Sequence, residues 1–116
     1  DIIYDPVGDC YAEPALRAIG WAGTYLVVGF AGGEIPSFPT NLVLLKGCAV
    51  SGVFIGRFQA TEPKQNTKNL AEIGRLLGGG KITPFISNTI PMKDAVASIK
   101  AIAERGVLGK LVFVND

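Results

Sequence analysis

Histidine is absent from these 116 residues. That removes the side chain most often used to move protons or hold metals near neutral pH. Ser37, Ser51, Ser87 and Ser98 have no imidazole partner, so a hydrolytic triad within the chain is excluded. Cysteine is scarce as well. Cys10 and Cys48 are too few for a disulfide framework or a four-cysteine zinc lobe, and both are expected as small buried hydrophobes in a reducing cytoplasm. The 10 acidic residues are scattered, with no pair at the spacing of a metal or glycosidase site. Glu13, Asp94 and Glu104 read as solvated groups on helix surfaces or at helix starts. No zinc site can be built from this set.

Other absences narrow the field further. The formal charge is +1 and the basic residues are dispersed, which gives no electrostatic case for nucleic acid or an anionic membrane. No apolar run reaches the ~18–20 residues that cross a bilayer, and the amino end lacks a basic-then-apolar signal layout. A dinucleotide fingerprint needs glycine at i, i+2 and i+5. The one pair of glycines two apart, Gly78 and Gly80, has Thr83 where the third should stand, and it reads as a helix stop. The chain opens on Asp1 rather than methionine, so further sequence is expected upstream.

What is present is apolar and glycine-punctuated. Hydrophobic residues make up 48% and charged residues 18%, a balance that implies burial against something beyond a single small core. Ile2–Tyr4 is a short apolar strand closed by Asp5-Pro6-Val7-Gly8. Tyr11–Ile19 forms a helix with Ala15, Leu16 and Ile19 on one face, ended by Gly20. Thr24–Phe30 is apolar on both faces, as a central parallel strand covered by helices on both sides would be. Gly32–Pro39 is loop, Asn41–Leu45 about one helical turn, and Ala49–Ile55 a third strand.

The rhythm then changes. Arg57–Thr61 breaks the pattern, and Thr61-Glu62-Pro63 carries the N-cap and first-turn signals of a helix running to Leu77. Leu70, Ile73 and Leu77 share a face of it, and Gly74 within it suggests close packing. Ile82–Ile90 is extended, with Pro84 forcing an edge or bend. Pro91 opens a last helix through Glu104, striped by Ala95, Val96, Ile99, Ile102 and Ala103, with Gly106 as its C′ residue. Leu111–Val114 is the final strand.

Three strand-like runs ending in or near glycine predict a parallel α/β sheet with a ligand along its carboxyl edge. Val7-Gly8, Gly29-Phe30-Ala31 and Val53-Phe54-Ile55 would all face that edge, where glycine lets a flat ring or a phosphate approach the backbone. Each glycine alone is better explained by a tight turn. Three in register argue for more.

These residues carry a resemblance. "DPVGD", then "ALRAIGWAGTYLVVGFAGGEIPSFPTNLVLLKGCAVSGVFIG", then "NLAEIGRLLGGGKITPFISNTIPMKDAVASIKAIAERGVLGKLVFV" is similar to the medium-chain dehydrogenase/reductase superfamily. The branch it most resembles is the zinc-free, NADPH-dependent quinone oxidoreductases. The similarity covers essentially the whole chain and corresponds to roughly the last third of such an enzyme.

The resemblance implies the second half of a Rossmann-type parallel sheet over residues 1–80. A strand–helix–strand segment over 81–116 would return to a GroES-like catalytic domain. It implies NADPH as cofactor, with NADH possible and no zinc. Cofactor contacts would fall at Pro6, Val7 and Gly8 near the nicotinamide, at Gly29, Phe30 and Ala31, and at Val53, Phe54 and Ile55. Gly109-Lys110 matches a further contact, though Lys110 reads equally as a solvated strand start. The substrate would be a quinone or enone, and the edge strand Ala49–Ile55 would pair across a homodimer. The pyrophosphate loop, the 2′-phosphate selector and the catalytic barrel lie outside these residues, so the chain alone is expected to be inactive. Competing readings are a non-enzymatic dimerisation or binding module, an enoyl-thioester reductase, and a zinc-free alcohol dehydrogenase.

Overall fold

Ile2–Asp5 (β1), Thr24–Val27 (β2) and Ala49–Gly52 (β3) form one parallel sheet in the order β1-β2-β3. Residues 1–115 are described in a computed structural model. Its two units comprise Asp1–Pro63 and the chain from Lys64 onward. In the first unit, Ile3 pairs with Tyr25 and Asp5 with Val27, while Thr24 pairs with Ala49. The expected central strand is therefore β2. Side chains alternate across a sheet, so Ile3, Asp5, Tyr25 and Val27 share one face.

That face carries the core. Ala12–Ala18 (α1) and Thr40–Lys46 (α2) contribute Ala12, Leu16 and Leu42, which are buried with Ile19, Tyr25 and Cys48. Burying a side chain the size of Leu16 contributes about 1.5–3 kcal/mol. Ile2 and Tyr4, on the other face of β1, are exposed. Cover on both faces was the expectation for this sheet, and the described residues supply it on one.

Several element ends differ from the sequence reading. β2 stops at Val27 rather than Phe30, because the amides beyond it bond to the turn after β1: Ala31 N–H donates to Pro6 O at 3.1 Å and Gly32 N–H to Val7 O at 2.8 Å. β3 likewise stops at Gly52, and Ile55 opens a helix, Ile55–Thr61 (α3), where a break in pattern was expected. Thr61 is the end of that helix rather than an N-cap, and its hydroxyl donates to Arg57 O at 2.9 Å. The expected single turn at Asn41–Leu45 is the two-turn α2, ended by Gly47 at φ 55°. Cys10 is exposed, in a 3-10 turn over Asp9–Tyr11, against the expected burial; Cys48 is buried.

The second unit holds nearly all of Pro63–Gly78 (α4), the strands Ile86–Pro91 (β4) and Lys110–Val114 (β5), and the helix Ala95–Ala103 (α5). β4 and β5 pair in parallel, with an irregularity between Ile86 and Asn88. Pro91 precedes a 3-10 turn, Met92–Asp94, rather than opening α5 directly. A Cβ built on Gly74 would meet nothing within 4 Å, so the close packing expected there is not found among the described residues. The C′ residue of α5 is Arg105, at φ 58°, and not Gly106. The Gly106 amide reaches back to Ala101 O at 2.9 Å and the Arg105 amide to Ile102 O at 3.0 Å, a Schellman closure. Val96, Ile99 and Ile102 of the apolar stripe are exposed, while the smaller Ala95, Ser98 and Ala101 are half-buried.

Candidate functional site at the carboxyl edge of the first sheet

Asp5 organises the edge. Its side-chain Oδ1 accepts from the amides of Val7 at 2.9 Å and Gly8 at 2.8 Å, an Asx-type turn that bends the chain out of β1. Its main-chain oxygen accepts from Val28 at 2.9 Å and Gly29 at 3.3 Å, which ties the exit of β2 to the same residue. The remaining carboxylate oxygen, Oδ2, accepts from the hydroxyl of Tyr25. Tyr25 stands opposite Ile3, two positions back along the strand, so this is a diagonal cross-strand contact within reach of a long aromatic side chain.

The electrostatics follow from this geometry. Partial burial works against the charged form of Asp5. The hydrogen bonds from Gly8, Tyr25 and Val7 outweigh it and hold the carboxyl below its ordinary range. For Tyr25, burial first and then the bond to the Asp5 carboxylate push the phenol well above its usual value. At neutral pH the pair is an anion held by a neutral donor.

Gly8 follows at φ 67°, a conformation costly to residues with a Cβ. Gly29 runs close to the turn after β1, where a Cβ would lie 3.2 Å from Pro6 O. Pro6, Val7 and Gly8 are thus brought together with Gly29, Phe30 and Ala31. Val53 joins them through its amide, which donates to Val27 O at 2.8 Å. Phe54 and Ile55 continue beyond β3, with Ile55 already in α3. Gly109 and Lys110 belong to the second unit. Gly109 sits at φ 84° against Phe85, and Lys110 begins β5 with its amide donating to Phe85 O at 2.9 Å.

Val7 is 36%, Phe30 41%, Val53 41% and Phe54 76% exposed, so apolar surface stands open at the strand ends. A Cβ at Gly52 would meet nothing within 4 Å. Open apolar walls beside bare backbone suit a flat ring such as a nicotinamide. A separate groove of about 430 Å³ lies between the start of α1 and the loop before α2. Asp9, Glu13 and Glu34 line it, and its Arg17 is engaged by Glu13 at 2.5 Å, so it does not suit an anionic phosphate. Among the described residues, no group of three or more His, Cys, Asp or Glu could hold a metal ion. No helix among them is long and apolar enough to cross a membrane.

Asp5 and Tyr25 shape this edge but fall outside the sequence-based set. An aspartate three residues before glycine is a turn signal that could have found the first. The second depends on strand register, which no local pattern reveals.

Comparison with known proteins fits this geometry. A family model described as zinc-binding dehydrogenase matches residues 1–113. Quinone oxidoreductase-like protein 2 of Bos taurus is 30% identical over 113 residues, covering 97% of this chain and 32% of that protein. The homolog from Nematostella vectensis is 29% identical over 114 residues, covering 97% and 31%. The chain therefore spans about a third of the length of these curated relatives. Escherichia coli quinone oxidoreductase complexed with NADPH superposes with a TM-score of 0.80 at 20% identity, over 97% of this chain and 35% of that one. A mycobacterial protein, also complexed with NADPH, gives 0.82 at 20% identity, over 97% and 34%. The parallel sheet and its helices fit the matched family model, and that model makes this chain a member of the zinc-binding dehydrogenase family, with quinone oxidoreductase-like proteins among its relatives.

Proposed function

We propose that this chain supplies the nicotinamide-facing edge of an NADPH-dependent reductase acting on a quinone or enone, without zinc. The observation that carries the proposal is the joining of two strand exits at Asp5, with apolar side chains and bare backbone open beside them. When bound, NADPH supplies a hydride from nicotinamide C4 to the acceptor. Val7, Phe30, Val53 and Phe54 form the apolar wall that orients the ring and keeps water from the transfer path. Gly8 and Gly29 keep the backbone close by presenting no Cβ. Pro6, Ala31 and Ile55 complete the three contact stretches.

The same proposal assigns residues 1–80 to the cofactor-binding domain and 81–116 to the catalytic domain. It places the protein in the cytoplasm. It also makes β3 the seam of a homodimer, supported by the exposure of all four β3 residues and by the apolar hollow of Phe38, Val43, Leu44 and Val50 beside it.

NADPH titration by fluorescence, with turnover of quinones and enoyl thioesters compared, tests this reading on the complete protein and on residues 1–116 alone. The complete protein should bind NADPH and prefer the quinone; the 116-residue chain should show no turnover. A complete protein that binds neither NADPH nor NADH removes the proposal, and turnover by the short chain removes its claim of inactivity.

A further inference from the structure

Resting on that reading, we infer that Asp5, braced by the buried Tyr25, is the positioning residue that sets the spacing of the two cofactor-facing strand exits. Asp5 accepts hydrogen bonds from both exits, through its side chain on one side and its main chain on the other. Its carboxylate holds the amides of Val7 and Gly8 on the β1 side, and its carbonyl holds those of Val28 and Gly29 on the β2 side. A carboxylate at a strand end would ordinarily be free to choose among rotamers. Here the Tyr25 hydroxyl takes the second oxygen, and Tyr25 is itself fixed, with its side chain fully buried in the core and its ring against Phe38 at a centroid distance of 5.9 Å. The core thus dictates the rotamer of Asp5, and Asp5 dictates the left-handed turn at Gly8.

The consequence reaches Phe30. Its ring stands where a Cβ on Gly8 would be, 3.0 Å away, so the turn and the ring occupy fixed positions relative to each other. Loosening the carboxylate releases the Val7-Gly8 amides and lets Phe30 drift from the proposed ring site. Neither Asp5 nor Tyr25 needs to touch the cofactor for this. They act through the backbone they hold.

The test uses Tyr25→Phe, Asp5→Ala and Asp5→Asn in the complete protein. Tyr25→Phe should weaken NADPH binding roughly three- to tenfold and Asp5→Ala roughly ten- to a hundredfold, by analogy with the up to about hundredfold rate loss a remote misplacement can cause. KM for the quinone should change less than the NADPH dissociation constant in both. Asp5→Asn should restore binding to within about threefold, because an amide oxygen still accepts from Val7 and Gly8 and its NH₂ can meet Tyr25. Amide exchange at Val7 and Gly8 should quicken in Tyr25→Phe while the β2–β3 ladder keeps its protection. A purely structural role would lower the urea midpoint yet leave the dissociation constant of the folded fraction unchanged, and that result overturns the inference. Wild-type protein that binds no nicotinamide cofactor overturns the functional reading instead.

Discussion

Gly8 and Phe30 share one small volume: a Cβ on Gly8 would sit 3.0 Å from Phe30 Cδ1 and 3.2 Å from Pro36 Cδ. Gly8→Ala therefore meets a crowded site and an unfavourable φ of 67° together. With ψ at −137° Gly8 lies outside the αL well, and the conformational part alone costs about 1–3 kcal/mol. Urea denaturation should show at least that loss, and NADPH binding should weaken as Phe30 is displaced.

Ala22 offers the opposite case. It is exposed at φ 59°, in the turn between α1 and β2, with its amide donating to Lys46 O at 3.1 Å. Ala22→Gly removes the left-handed penalty and keeps that bond. A gain of up to roughly 1 kcal/mol is expected, reduced by glycine's extra freedom in the unfolded chain. Chemical denaturation of both proteins at the same pH measures the difference.

The Asp5–Tyr25 pair sets two pH limits. The folded carboxyl titrates below its unfolded value, so its contribution is present above that value, near 3.8, and is lost as pH falls toward the folded value. The folded phenol titrates above its ordinary 10.0, so its contribution is intact below that and is lost as pH rises toward the folded value. Urea midpoints followed from acid to alkali should fall at both ends. Asp5→Asn should flatten the acid limb, and Tyr25→Phe the alkaline one.

In a parallel ladder, alternate residues of an edge strand bond inward and outward. The amides of Ala49 and Val53 donate inward, to Gly23 O and Val27 O at 2.9 and 2.8 Å, so the amide of Val50 points to the open edge. Val50→Pro removes an outward donor and leaves the β2–β3 ladder intact, as proline on an edge strand can. If β3 is the dimer seam, sedimentation of the complete protein should show dimer giving way to monomer. A dimer unaffected by Val50→Pro places the seam elsewhere.

Much of the fold was legible because parallel strands buried in an α/β sheet read as apolar runs, and those at 2–4, 24–30 and 49–55 stand between turn-forming residues. Their ends were not. Whether Gly29 and Ala31 continue a ladder depends on the partner their amides find, and Asp5 and Pro6 lie more than twenty residues away in sequence. α3 escaped for a local reason: Phe54 caps it without any side-chain hydrogen bond, while Thr61 carries a helix-start signature yet bonds backwards to Arg57. Along the carboxyl edge, the glycines announced themselves. The carboxylate that holds them did so only in part, and its tyrosine brace not at all.

Every strand pair in both sheets is parallel, Ile2 meeting Thr24, Thr24 meeting Ala49 and Ile86 meeting Lys110. Among the described residues no hairpin is therefore available to start the search for the native state, and each pairing must wait for a whole crossover to close. Chains of this kind cross their folding barrier late and slowly, and stay exposed to one another meanwhile. For this sequence, with Ile2, Tyr4 and Val50 uncovered even when folded, refolding yield should fall as chain concentration rises.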